Sequence, residues 1–148
     1  MRDLHGRPPV TEAECNRAEL ILKKMFEVID FLTYKLKDDH GLNLYFVIEN
    51  PATGRLKYHD LMKDIRHFDT SYCKYGFKWS KPTRFWTNLP FLKLHPVCSP
   101  TSPCNRISLG KSHTNALSVD SESLYEIPET LIKVIGNTAY DTIACNGV

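Results

Sequence analysis

The feature that most constrains this chain is a long helical period that runs almost directly into a β-prone apolar run. Ala18, Ile21, Leu22, Met25, Phe26, Ile29 and Leu32 recur at helical spacing, which predicts one amphipathic helix over residues 11–37 with a single buried stripe. Thr11-Glu12-Ala13-Glu14 has capping-box spacing, so a Thr hydroxyl and a Glu carboxylate can satisfy free amides at its start. Polar residues and Gly41 close it. Leu42 to Ile48 then reads as a strand buried on both faces, ended by Pro51, which forbids continuation. A helix feeding such a strand predicts an αβ unit of a largely parallel sheet.

The rest of the chain fits that frame. Leu56 to Ile65 reads as a short helix, with strands expected at Phe68–Tyr75 and Arg84–Leu89. Residues 95–123 are rich in Pro, Ser, Thr and Asn and predict a long irregular loop. Pro128 opens a last helix with Leu131, Ile132, Ile135 and Ala139 on one side. A length of 148 residues suits one domain, with a core over 11–93, a loop or insertion over 94–123 and a C-terminal helix over 124–148. No apolar run of about 18 residues exists, which excludes a transmembrane helix and predicts no membrane partner. Residues 1–9 lack the apolar stretch of a secretory signal. The five cysteines therefore predict reduced thiols in an intracellular protein, and their odd number argues against a closed disulfide framework.

The net charge of +2 conceals an uneven distribution. Residues 51–93 carry nine positive and three negative side chains, while both flanking segments are net acidic. From Thr70 to Lys93 there is no acid, and Lys74, Lys78, Lys81, Arg84 and Lys93 alternate with Tyr72, Tyr75, Phe77, Trp79, Phe85, Trp86 and Phe91. Interleaved cations and aromatics suit a phosphate backbone and a stacked or extruded base, with Lys74, Lys78 and Lys81 as the expected nucleic-acid contacts. A strand-rich core with solvated lysines outside it has the same composition.

Candidate chemistry centres on Glu49 and Asn50. Polar groups at the carboxyl end of a buried strand sit where open α/β sheets bind ligands, although Glu-Asn-Pro also suits a plain turn. Among the thiols, Cys15 lies in the first turns of the helix, Cys73 in a strand and Cys145 near the C-terminus; all three read as structural. His95, Cys98, Cys104 and His113 lie within 19 residues of the Pro-rich loop and include zinc-type ligands. Paired Cys-x-x-Cys knuckles are absent, so ordinary loop residues and no metal are expected there. His59 and His67 flank the basic stretch as surface histidines.

Two blocks of the sequence resemble a known family. Tyr45-Phe46-Val47-Ile48-Glu49-Asn50-Pro51, followed by Ala52-Thr53-Gly54-Arg55-Leu56-Lys57 and Met62, is similar to the Glu-Asn-Val signature of DNA (cytosine-5)-methyltransferases in its phage-type Glu-Asn-Pro form. Ser71-Tyr72-Cys73-Lys74-Tyr75-Gly76-Phe77 and Lys81-Pro82-Thr83-Arg84-Phe85-Trp86-Thr87-Asn88 resemble that family's next strand, its Tyr-Gly turn and its arginine motif. The resemblance covers residues 15–93 and implies the C-terminal part of a doubly wound, Rossmann-like α/β methyltransferase domain, here with an irregular Pro/Ser-rich loop.

It also implies a reaction. An extruded cytosine is attacked by a Cys thiolate at ring carbon 6 and receives a methyl group from S-adenosylmethionine at carbon 5. Glu49 would meet ring N3 and the exocyclic amine, Asn50 would shape the turn, and Arg84 would face the base as the last arginine of a Gln-x-Arg-x-Arg motif. The first two motif positions are Ser80 and Pro82 here. The family's Gly-rich S-adenosylmethionine loop and Pro-Cys nucleophile have no counterpart in these 148 residues, and Arg7-Pro8-Pro9-Val10 contains no cysteine. The resemblance thus implies DNA as partner, a second chain or upstream segment completing the domain, and this chain as the base-recognition half. The alternative is a catalytically inactive nucleic-acid-binding remnant.

Overall fold

The computed structural model describes residues 10–115 and 118–146; the Arg7-Pro8-Pro9 segment lies outside them. The chain forms two compact units, Met1–Leu44 and Tyr45–Val148.

Among the described residues, the first unit holds one helix, α1 (Glu12–His40). Its start follows the expected capping box: Thr11 Oγ1 accepts from Glu14 N at 3.2 Å, and Glu14 Oε2 accepts from Thr11 N at 2.8 Å. Its end needs glycine, because Gly41 takes φ 68° while its amide and that of Leu42 close on Lys37 O and Leu36 O. The predicted stripe is only partly buried. Leu22 is buried and Met25, Phe26 and Ile29 are half-buried, but Ala18, Ile21 and Leu32 are exposed, as are Leu20, Val28, Phe31 and Tyr34. Periodicity defines a helix face, but burial of that face requires something packed on it.

The second unit is mixed α/β. Its sheet comprises β1 (Val47–Pro51), β2 (His67–Ser71) and β3 (Pro82–Thr87) in the order β1-β3-β2. Both ladders are antiparallel, in place of the parallel ladder expected from the sequence. β1 and β2 therefore run in the same direction on either side of β3. The register pairs Glu49 with Phe85, Asn50 with Arg84, Phe68 with Phe85 and Asp69 with Arg84.

The strand expected at residues 42–48 begins only at Val47, is an edge strand, and is not buried on both faces. Pro51 belongs to it, opposite Thr83, because an edge position demands no amide donor on its outer side. The strand expected over Phe68–Tyr75 stops at Ser71, where Tyr72–Tyr75 turns as a 3-10 helix closed by Gly76 at φ 102°. The Leu56–Ile65 helix is two 3-10 turns, Arg55–Tyr58 and Asp60–Met62.

Among its described residues the Pro/Ser-rich segment carries α2 (Asn105–Ser108), α3 (Ser121–Tyr125) and an isolated bridge between Ser99 and Ser102. It is laid along the Tyr72–Tyr75 turn by named bonds: Cys98 N donates to Ser71 Oγ, His95 N to Tyr75 Oη, and Lys74 Nζ to Ser102 Oγ and Pro103 O. The last helix, α4 (Glu129–Asn146), starts one residue after Pro128 and hooks the same turn through Thr130 Oγ1 and Tyr75 O at 2.8 Å. Of its predicted face Leu131 is buried, Ile135 and Ala139 are half-buried, and Ile132 is exposed. Tyr72, Tyr75, Phe85 and Leu131 form the core, flanked by Phe77, Leu94 and Ile135.

Candidate functional site

Strand alternation decides which of the expected site residues can meet. Directly paired residues share a sheet face, and successive residues point to opposite faces. Glu49 therefore shares a face with Phe85, Phe68 and Thr83, whereas Asn50 and Arg84 share the other face with Asp69. The three residues expected to be catalytic, Glu49, Asn50 and Arg84, do not form one cluster.

On its own face, Arg84 is already occupied. Its Nε and Nη2 donate to Asp69 Oδ1 and Oδ2 at 2.6 and 2.7 Å, a bidentate pair directly across β3 and β2. The guanidinium holds the Asp69 carboxyl below its ordinary value, and Asp69 in turn holds the Arg84 pKa up. Its guanidinium also lies 5.7 Å from the Trp86 ring. Asn50 shapes the turn after β1: its side chain lies against Gly54, where any Cβ would collide with the Asn50 amide oxygen and with Pro51 O.

Glu49 stands in a different setting. Its Oε1 accepts from Tyr72 Oη at 3.0 Å and lies 3.9 Å from Lys81 Nζ, which sits 4.8 Å from the Tyr72 ring centre. Lys81 follows the alternation of Thr83 and Phe85, which brings this cation, rather than Arg84, to the carboxylate. Lys81 Nζ is also anchored on Leu124 O at 2.9 Å. Burial first, and the Glu49 charge second, push the Tyr72 phenol well above its usual range, so it remains a donor at neutral pH. The Glu49 side chain retains 27 % exposure, so this carboxylate group is only partly enclosed. Neither Tyr72 nor Lys81 was expected beside Glu49 from the sequence; register is the signal that identifies them.

The basic stretch is more committed than its composition suggests. Lys74 is tied to the Pro/Ser-rich segment, Lys81 to Leu124 and Glu49, and Arg84 to Asp69, while Lys78 and Lys93 are exposed. Tyr72, Tyr75, Phe85 and Trp86 are buried, so these aromatics build core rather than stacking platforms; Phe91 is exposed. A cavity of about 380 Å³ collects Lys74 and Lys78 with Arg106 and Lys111, against Phe77 and Leu109, and no acid lines it. The donor set suits an anion.

The thiol and imidazole groups also sort by position. Cys98, Cys104 and His113 converge as the loop spacing allows, but His95 is elsewhere, its ring 5.4 Å from that of Tyr75. Cys73 takes the fourth place. Burial opposes ionisation of Cys104, yet bonds from the Ile107 amide, His113, Cys98 and Cys73 bring its thiol down to about 6. Burial, with Cys98 and Cys104 nearby, pushes Cys73 up to about 12. Cys15 and Cys145 are exposed and free.

Comparison with protein-family models, curated proteins and solved structures returns no match to the chain. No helix among the described residues is long and apolar enough to cross a membrane.

Proposed function

We propose that this chain is the base-recognition half of a DNA (cytosine-5)-methyltransferase-like protein, with Glu49, Tyr72 and Lys81 as its base-binding set. The observation that carries the reading is the meeting of two sequence blocks at one carboxylate. Glu49 from the first accepts from Tyr72 of the second and lies 3.9 Å from Lys81, the residue that leads into β3. A carboxylate held by a neutral donor and a nearby cation can accept from a cytosine's exocyclic amine, and from ring N3 once that nitrogen carries a proton, so the contact strengthens as the ring gains positive charge. Arg84, closed on Asp69, acts as a sheet fastener in this proposal. S-adenosylmethionine and the attacking thiolate would come from a segment other than the described residues, on the same or a second chain; the doubly wound arrangement would be completed with it.

The cavity lined by Lys74, Lys78, Arg106 and Lys111 favours a second reading, a non-catalytic module that holds DNA by phosphate contacts alone. One titration separates the two. The full chain is mixed with a fluorescent duplex holding either a mismatched cytosine or a mismatched thymine, since a mismatched base leaves the stack easily. Base recognition predicts about tenfold tighter binding to the cytosine duplex, a preference abolished in Glu49→Gln. Equal affinity for both duplexes, with a steep salt response, would leave only the phosphate-binding module. No binding at low salt would remove both.

A further inference from the structure

We infer that Cys73, Cys98, Cys104 and His113 form a structural zinc site that pins the Pro/Ser-rich segment to the end of the sheet. Their ligand atoms all lie within 4.8 Å of one another, although the residues are spread over 41 positions of the chain. Two of the four residues are buried and two are half-buried.

The spacing within the cluster matches a tetrahedral centre. Zn–S bonds of about 2.3 Å and a Zn–N bond of about 2.0 Å at tetrahedral angles place sulfur about 3.5 Å from nitrogen. His113 Nε2 lies 3.9 Å from Cys98 Sγ and 3.3 Å from Cys104 Sγ, on either side of that value. The surroundings also behave as a metal shell does. The Cys104 amide donates to Cys98 Sγ at 3.3 Å. Such N–H donors offset the charge of metal-bound thiolates.

Three sulfurs and one imidazole select zinc among common divalent ions, and four protein ligands leave no open position for catalysis. With all three cysteines as thiolates and the imidazole neutral, the centre carries net charge −1. A disulfide would use only two of the three thiols, and all three are free. The local folding explains the placement. Because the chain turns at Tyr72–Tyr75 instead of continuing β2, Cys73 leaves the alternation of the strand and reaches the segment that Ser71 and Lys74 hold. The same turn carries Lys74, which lines the basic cavity with Lys78, Arg106 and Lys111, so the metal would also fix that cavity.

The test uses the full chain purified under reducing conditions. Elemental analysis should give one zinc per chain, and exchange into cobalt(II) should give the intense visible bands of a tetrahedral thiolate site. Thiol titration of the native protein should count two reactive cysteines, Cys15 and Cys145, rising to five once a chelator removes the metal. His113→Cys should retain the cobalt bands with altered position, and His95→Asn should leave them unchanged. Cys98→Ser should lose the tetrahedral spectrum. Absence of stoichiometric zinc together with absence of cobalt bands, a Cys98–Cys104 disulfide in the reduced preparation, or loss of metal from His95→Asn would overturn the assignment. The thiol count on the unmutated chain reads the site even if a cysteine variant fails to fold.

Discussion

The two faces of the sheet carry two carboxylates in contrasting states. Asp69 is closed, with both oxygens taken by one guanidinium directly across the ladder. Glu49, one residue before the position paired with Arg84, has turned to the opposite face, where a phenol and a more distant ammonium leave part of it open. The difference shows why a charged residue in a motif is not a site by itself. Alternation assigns each carboxylate its neighbours, and the neighbours decide whether it fastens strands or meets a ligand. A fastener should show its loss in stability, and a ligand group in binding.

The largest expected effect comes from the packing beneath Glu49. Phe85 is 1 % exposed and sits in the core with Tyr72 and Leu131. Phe85→Ala should lower unfolding free energy by about 3–5 kcal/mol in urea, with little dependence on pH between neutral and acid conditions. A loss below about 1 kcal/mol would mean that this face is poorly packed and that Glu49 lacks a rigid base.

Next comes the closed pair. Asp69→Ala removes a bidentate charge-assisted contact that is partly exposed, so a loss of about 1–2 kcal/mol is expected, below that of Phe85→Ala. The native protein carries the matching pH signature. The folded Asp69 pKa lies below its ordinary value of 3.8, so its stabilisation is complete above that value. It fades as the pH falls through the folded pKa, when the native carboxylate takes up its proton. Urea midpoints measured for wild type and Asp69→Ala should therefore converge in strong acid and separate again above it. A difference that persists unchanged into strong acid would show that packing, not the ion pair, is what Asp69 supplies.

The local signals of the fold were legible in the sequence, whereas the contrast between the two carboxylates was not, for physical reasons. The α1 capping box and its closing glycine are local signals, so Thr11, Glu14 and Gly41 appear where expected. The position of Gly76 after a Tyr-rich turn is also local. Register is not local: no pattern within residues 45–51 or 80–88 says that Lys81 rather than Arg84 will stand beside Glu49. Cys73 was missed for a related reason. Read as strand, its side chain would alternate inward; the 3-10 turn redirects it, and only the folded loop brings Cys98, Cys104 and His113 to it. The apolar period of α1 overstated burial because amphipathicity specifies a face without specifying its cover. The aromatic-basic interleaving of residues 70–93 has two compatible readings, and the buried Tyr72, Tyr75, Phe85 and Trp86 favour core for the aromatics.

The smallest expected stability effect is at Glu49, and it bears most directly on the contrast. Glu49→Gln keeps an oxygen that can accept from Tyr72 Oη, so the 3.0 Å bond to the buried phenol survives. Lys81 Nζ, 3.9 Å away, already donates to Leu124 O and does not depend on Glu49 for a partner. With the side chain more than a quarter exposed, the lost charge is replaced by an amide that water can also solvate. The change in unfolding free energy should therefore stay within about 0.5 kcal/mol, several-fold smaller than for Asp69→Ala. Tyr72→Phe checks the same contact from the other side; it should lose about 0.5–1.5 kcal/mol through the deleted hydrogen bond while preserving the core ring. If Glu49→Gln instead destabilised as much as Asp69→Ala, both carboxylates would be fasteners. The open edge at Glu49 would then have no ligand to explain it, and the base-binding role would pass from Glu49 to no other acid on that face of the sheet.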